Sequence, residues 1–425
     1  WPRGEISRTR SIMEEGHPHS PRYTCQKHDS SAPANPKIVG RNSSLELLRI
    51  IAMLMIVSYH FIYINPDHEL LLTQGPCIRF VYEVLLMGGG WVGNFIFFTI
   101  STWFLLDRET TLLKSFRRIW ILERELLFWS VTLLVIYLIL HAHSPYVEPI
   151  SMGSTRKLIL TSIFPLISNL WWYPTSYALY LLFLPFLIKG TKALGATSHR
   201  NLAILCLMLW GIGGLLPNIS FNLTEASVFV FIYWFILISY YRWYMRPFSE
   251  KACIGLIAGG IAINIFYWST FIAFSSITGK GSGFIEFIFD HWKLPSMMIG
   301  FGLFLLFERR RFFNPIINWI AGSTFGIFLI HYHPISRKIW GSYLPLRECL
   351  TSPNPVLQAM ACIAAIFLCC LLLDMVRQAF FALTIDKHKG AVFDKLCVYV
   401  GKRIKTGNGR HMQDKMAHDA IVKLS

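Results

Sequence analysis

The chain has 425 residues, of which 54% are hydrophobic and only 15% charged, and its formal net charge is +16 at pH 7. Roughly a quarter of the residues of an ordinary soluble domain are charged, so this chain cannot clothe a soluble globule of its size, and a mean hydropathy of +0.46 assigns it to lipid. Its Lys and Arg punctuate apolar runs instead of gathering on one soluble face, which argues against nucleic acid and makes membrane lipid the partner of the charge.

Residues 1–44 are rich in Pro, Ser, His and charge and are expected to form a disordered basic tail. From Leu45 to about residue 382, apolar stretches recur that are long enough to cross a hydrocarbon core of about 30 Å. The approximate spans are 45–64, 88–106, 118–140, 175–190, 201–217, 227–244, 253–275, 288–307, 316–332 and 356–382. The fold predicted is therefore all-α, a polytopic transmembrane bundle of about ten helices over 45–382, followed by a basic tail over 383–425. The fourth span is the shortest and holds Pro185. Trp171, Trp172 and Tyr173, just before it, read as an interfacial aromatic belt. The nine cysteines contain no CxxC pair and no metal-ligand spacing, so neither a metal nor a disulfide framework is expected. Cys362, Cys369 and Cys370 lie in an apolar run, where Cys behaves as a small hydrophobe.

A cytoplasmic N-terminus collects Arg108, Lys114, Arg117 and Arg118, then Lys189, Lys192 and Arg200, then Arg242, Arg246 and Lys251, then Arg309, Arg310 and Arg311 on the inner side. An even span count returns the basic C-terminal tail to that side. The opposite loops carry Asp67, Glu69, Glu83 and Glu225, with a basic exception at Arg337, Lys338 and Arg347.

Function has to be read from the polar residues placed within apolar spans, where they are costly. The first span, SLELLRIIAMLMIVSYHF, has Glu46, Arg49 and His60 as its only acidic or basic side chains. Ten residues separate Arg49 from His60, so at about 100° per residue they point almost the same way, about 16 Å apart along the axis. Glu46 shares that face. If Arg49 marks the inner edge of the bilayer, His60 lies near its middle. A snorkelling Arg beside Glu46 and a His satisfied between helices would produce the same pattern.

The segment ELLRIIAMLMIVSYHF resembles the opening helix of the acyltransferase type 3 proteins, with Arg, ten residues, then His. Further segments are similar in order. NFIFFTISTWFLLDR (94–108) resembles the second-helix phenylalanine pair, and KSFRRIWILERELLFW (114–129) the basic lead-in to the third helix. NLWWYPTSYALYLLFLP (169–185) and STFGIFLIHYHP (323–334) resemble the aromatic approach to the fourth helix and a late Gly, aromatic, Leu and His segment. One departure is Thr102, where many members carry Gly after the serine, which puts close packing there in doubt.

The resemblance implies transfer of an acyl group, commonly acetyl, from cytoplasmic acyl-CoA to a hydroxyl of a cell-envelope or exopolysaccharide sugar. Acyl-CoA is then a co-substrate, and no permanently bound cofactor is implied. His60 becomes the general base, or a transient acyl carrier, with Arg49 as anchor or electrostatic stabiliser held by Glu46. Arg117, Arg118 and Arg124 become candidates for the cofactor phosphates, Arg117 and Arg124 being seven residues apart on nearly one helix face. Ser101 and His331 are weaker candidates for contact with substrate, and Ser101 is equally a hydroxyl bonded to its own helix. His333 reads as a solvated interfacial residue. The rival class is a polytopic transporter or flippase of sugars or lipids, for which the sequence shows no internal repeat.

Overall fold

A computed structural model describes residues 42–143, 152–216, 222–224, 226–279, 287–385 and 390–399. The N-terminal tail and most of the C-terminal tail, together with Glu225, lie outside the described residues. Among those residues the chain is helical and contains no strand, so the all-α expectation holds.

Helix α1 spans Ser43–Tyr63. It starts where the Asn42 side chain accepts a hydrogen bond from the Ser44 amide at 3.2 Å, with Glu46 in the first turn, favourable to the exposed amides there. A short segment, α2 (Pro76–Arg79), passes through a π-helical stretch, Phe80–Met87, into α3 (Gly88–Leu106). There follow α4 (Leu112–His143), α5 (Met152–Ile163), α6 (Trp172–Cys206), α7 (Val228–Tyr244), α8 (Glu250–Thr278) and α9 (Leu294–Arg309). The late region comprises α10 (Pro315–Gly322), α11 (Thr324–Tyr332), α12 (Pro334–Tyr343), α13 (Leu346–Thr351) and α14 (Pro355–Leu383).

Among the described residues, five helical stretches are long and apolar enough to cross a membrane by length and composition: Ser43–Tyr63, Pro76–Leu106, Trp172–Leu215, Glu250–Thr278 and Pro355–Leu383, with Val228–Tyr244 a shorter apolar helix. The fourth and fifth predicted spans lie on either side of a kink in α6 at Gly195, whose φ of 71° and ψ of 173° are not helical and suit glycine and few other residues. Pro185 does not end α6. The ninth predicted span is two short helices that meet at Ser323.

Helix α1 lies at the centre and packs against α3, α9, α10, α11 and α14. It feeds two apolar cores. One gathers its His60 end with α11 and α14, and the other its Arg49 end with α3, α6, α7 and α9. In lipid, helices associate through close packing more than through exclusion of water, and small residues set how close they come. Here Gly90 and Gly93 of α3 do this. A Cβ at Gly90 would overlap that of Tyr59, and one at Gly93 would stand 2.6 Å from the Ala52 carbonyl oxygen. Thr102 takes no part in that approach: it is fully buried and shares a 3.1 Å hydrogen bond with the Tyr180 hydroxyl of α6.

The aromatic-belt expectation fails for two of its three residues. Trp171 is 1% exposed and donates from Nε1 to the Leu329 carbonyl at 3.1 Å, and Trp172 is buried against His291. Both tie α6 into the bundle instead of facing an interface.

Candidate active site

The His60 end of α1 carries the most constrained polar pair. His60 is buried in the last turn of the helix, and its Nδ1 lies 2.8 Å from Nε2 of His331 in α11. His331 is itself held, Nδ1 lying 2.7 Å from the Ile327 carbonyl oxygen one turn earlier. A carbonyl can only accept, so His331 carries its proton on Nδ1, and Nε2 of the neutral ring accepts. His60 then donates from Nδ1, which leaves the lone pair of His60 on Nε2. The bond therefore fixes tautomer and ring orientation together. The Tyr332 ring lies 4.4 Å from His60, and both histidines line a small, open-sided pocket with Arg337 and Trp340. His333 does something else: its Nδ1 accepts from the Ile335 amide at 3.3 Å and caps α12. Burial, reinforced by Arg337, pushes that imidazole down to about 3, so it stays neutral.

Within α1, Arg49 is more than a turn from the start and His60 is one turn from the far end.

The Arg49 end opens on a larger cavity, lined by Arg49, Ser101, Arg124, Glu125, Tyr173, Tyr177, Arg377 and Gln378 among others. Arg49 is held by Glu46, with Nη1 3.3 Å from Oε2. Ser101 donates to the Phe97 carbonyl of its own helix at 3.0 Å while lining the cavity. The three arginines named for phosphate separate. Arg124 lines the cavity, whereas Arg117 makes a two-pronged pair with Asp394 of the helix over 391–399, at 3.1 and 3.3 Å. Arg118 is half-buried and is not among the lining residues. A run of rings joins the two compartments: Tyr173 to Phe328 at 6.3 Å, Phe328 to Tyr332 at 5.5 Å, and Tyr332 to His60.

Sequence reasoning missed the third cation of that cavity. Arg377 of α14 grips Asp374, one turn earlier, through Nε at 2.6 Å and Nη2 at 3.0 Å, and reaches Glu125 of α4 at 2.9 Å. Asp374 is fully buried and also accepts from Trp129 Nε1 at 3.0 Å. Gly326 makes room for it, because a Cβ there would overlap the carboxylate. The signal was present: an acid and a base three residues apart inside the most apolar span, each expensive in hydrocarbon unless paired. No group of three or more His, Cys, Asp or Glu side chains placed to hold a metal ion occurs among the described residues.

The fold and site together define a polytopic membrane protein with an oriented, buried imidazole between a large cation-lined cavity and a smaller pocket. The family model described as an acyltransferase domain matches residues 42–375, which spans α1 to most of α14, and the chain belongs to this acyltransferase family. It is a membrane acyltransferase. No curated protein and no solved structure matches the chain.

Proposed function

We propose that the protein is an O-acyltransferase that moves an acyl group, acetyl in the simplest case, from cytoplasmic acyl-CoA to a hydroxyl of a cell-envelope or exopolysaccharide sugar. The observation that carries the reading is the His331 bond, which commits His60 Nδ1 and leaves Nε2 as the base. The donor enters the larger cavity, its phosphates meeting Arg49, Arg124 and Arg377 in the manner of charge-assisted hydrogen bonds. Its thioester arm extends past Tyr173 and Phe328 toward His60. The acceptor hydroxyl comes from the smaller pocket. His60 Nε2 takes the hydroxyl proton as the oxygen attacks the thioester carbon, the carbon–sulfur bond breaks, and the imidazolium returns the proton to the departing thiolate. The basic loops at the Arg49 end favour the cytoplasm for that side.

The test is transfer of label from radiolabelled acetyl-CoA to an envelope-polysaccharide fraction by the purified protein in vesicles, with His60→Ala as control. Transfer that survives the substitution would sink the mechanism. Failure of the wild-type protein to bind acetyl-CoA would sink the choice of donor.

A further inference from the structure

The basic exception at the His60 end remains to be explained. Arg347 pairs with Asp67 at 3.3 Å, and two other cations at this end are matched, Arg79 to Glu83 at 2.8 Å and Lys293 to Asp290 at 2.9 Å, while Lys338 is exposed. Arg337 differs. It lines the pocket that holds His60 and His331, it is half-buried, and among the described residues no carboxylate is in ion-pair contact with it. What it does contact is the Tyr332 ring, 5.1 Å from its guanidinium carbon, and that ring lies against His60. The guanidinium is thus one aromatic ring from the imidazole, with its donors free for a planar anion. In the same pocket, Nε1 of Trp340 is buried and makes no hydrogen bond within the protein. A buried donor without a partner costs free energy unless something bound to the protein accepts from it. A cation without a counter-ion beside an unmatched donor is what a pocket for an anionic, hydroxyl-rich ring requires.

We infer that the acceptor carries a negative charge close to the hydroxyl that is acylated, either the carboxylate of an acidic sugar or a phosphate on the sugar, and that Arg337 binds this charge while Trp340 Nε1 donates to a ring oxygen or hydroxyl. The inference rests on the proposed acyl transfer, and it makes Arg337 the residue that selects charged over neutral acceptors. The tyrosine between them sets the spacing from the bound charge to His60.

Matched probes separate charge from shape. p-Nitrophenyl β-D-glucuronide and p-nitrophenyl β-D-glucoside differ only at C6, and glucose 6-phosphate offers the alternative anion. Dissociation constants for the full chain in detergent, read by saturation-transfer NMR or calorimetry, are expected to favour the glucuronide or the phosphate over the glucoside by about tenfold to a hundredfold, the range of one charge-assisted hydrogen bond. The preferred anion names the source. Arg337→Ala should bring the ratio to near one, and Arg337→Lys should keep part of it. Trp340→Phe should weaken all three probes by a similar factor of about two to ten. Equal affinity of the wild-type protein for glucuronide, phosphate and glucoside, or a ratio unchanged in Arg337→Ala, overturns the inference. Acetyl-CoA binding measured on the same preparations tells the two failures apart. Intact donor binding with no charge preference removes this inference alone, and lost donor binding with a preserved ratio removes the proposed donor alone.

Discussion

Replacing His331 tests whether His60 works as one half of a pair. The His60–His331 bond is 2.8 Å long, both rings are buried, and it fixes which nitrogen of His60 carries the lone pair. His331→Ala leaves that choice to chance and leaves Nδ1 without its acceptor. Loss of a partner that orients a functional imidazole typically costs 10- to 100-fold, or about 1.4 to 2.7 kcal/mol in the barrier. His60→Ala removes the base itself and should cost about 10²- to 10⁴-fold. The decisive variant is the double one. If His331 acts only through His60, His60→Ala/His331→Ala should be no slower than His60→Ala, whereas independent effects would multiply. His331→Gln keeps a side-chain acceptor and should recover part of the rate. Single-turnover transfer of labelled acetyl in vesicles supplies the rates, and thermal melting in detergent confirms that each variant is folded. A double variant slower than His60→Ala by the full His331→Ala factor would refute the pairing.

The arginines divide by position. Arg124→Ala should raise the KM for acyl-CoA about tenfold or more, since charged hydrogen bonds contribute about 1.5 to 3 kcal/mol each, while Arg117→Ala, an exposed pair with Asp394, should leave that KM unchanged and cost at most about 1 kcal/mol in stability. Equal KM effects would show that both meet the donor. Arg377→Met strands the buried Asp374 carboxylate and should destabilise the bundle by about 3 to 5 kcal/mol, whereas Asp374→Asn combined with Arg377→Met should recover much of that loss on chemical unfolding. Gly326→Ala pushes a methyl into the same carboxylate and should lower the melting temperature, by an overpacking cost of about 1 to 3 kcal/mol, with no rescue by acyl-CoA.

The bundle was legible because apolar length is a local property of the chain. α1, α3, α7 and α14 fall within a few residues of their predicted spans. Where the reading slipped, a local signal was outvoted. Pro185 and the short fourth span suggested a weak helix, but α6 runs through it to Gly195, because only a positive φ there turns the chain. Trp171 and Trp172 have the composition of an interfacial belt, and their burial depends on α11 and on His291, which no neighbouring residue announces. The site divides the same way. Arg49 and Glu46 are three residues apart and their pairing could be read directly, whereas His60 and His331 are 271 positions apart and only the fold brings them together. Arg377 was visible as a cost inside an apolar span, but Glu125, the partner it reaches on α4, lies far away in the sequence.

One helix carrying both ends of the proposed chemistry has a physical consequence. Arg49 and His60 are fixed about 16 Å apart by α1 itself, and α1 is held on several sides, closely by Gly90 and Gly93 and elsewhere by α11 and α14. Motions of the looser elements around the cavities do not change that distance. A donor anchored by its phosphates at one end therefore presents its thioester at a depth set by the length of its own arm, and His60 meets it there without a closing movement. On this reading the rate should respond more to the length of the donor arm than to the size of the acyl group. Phe328, Tyr332 and His60 already pack ring against ring, with centroids 4.4 to 6.3 Å apart, so longer acyl chains should meet more crowding there and react more slowly than acetyl while binding through the same arginines.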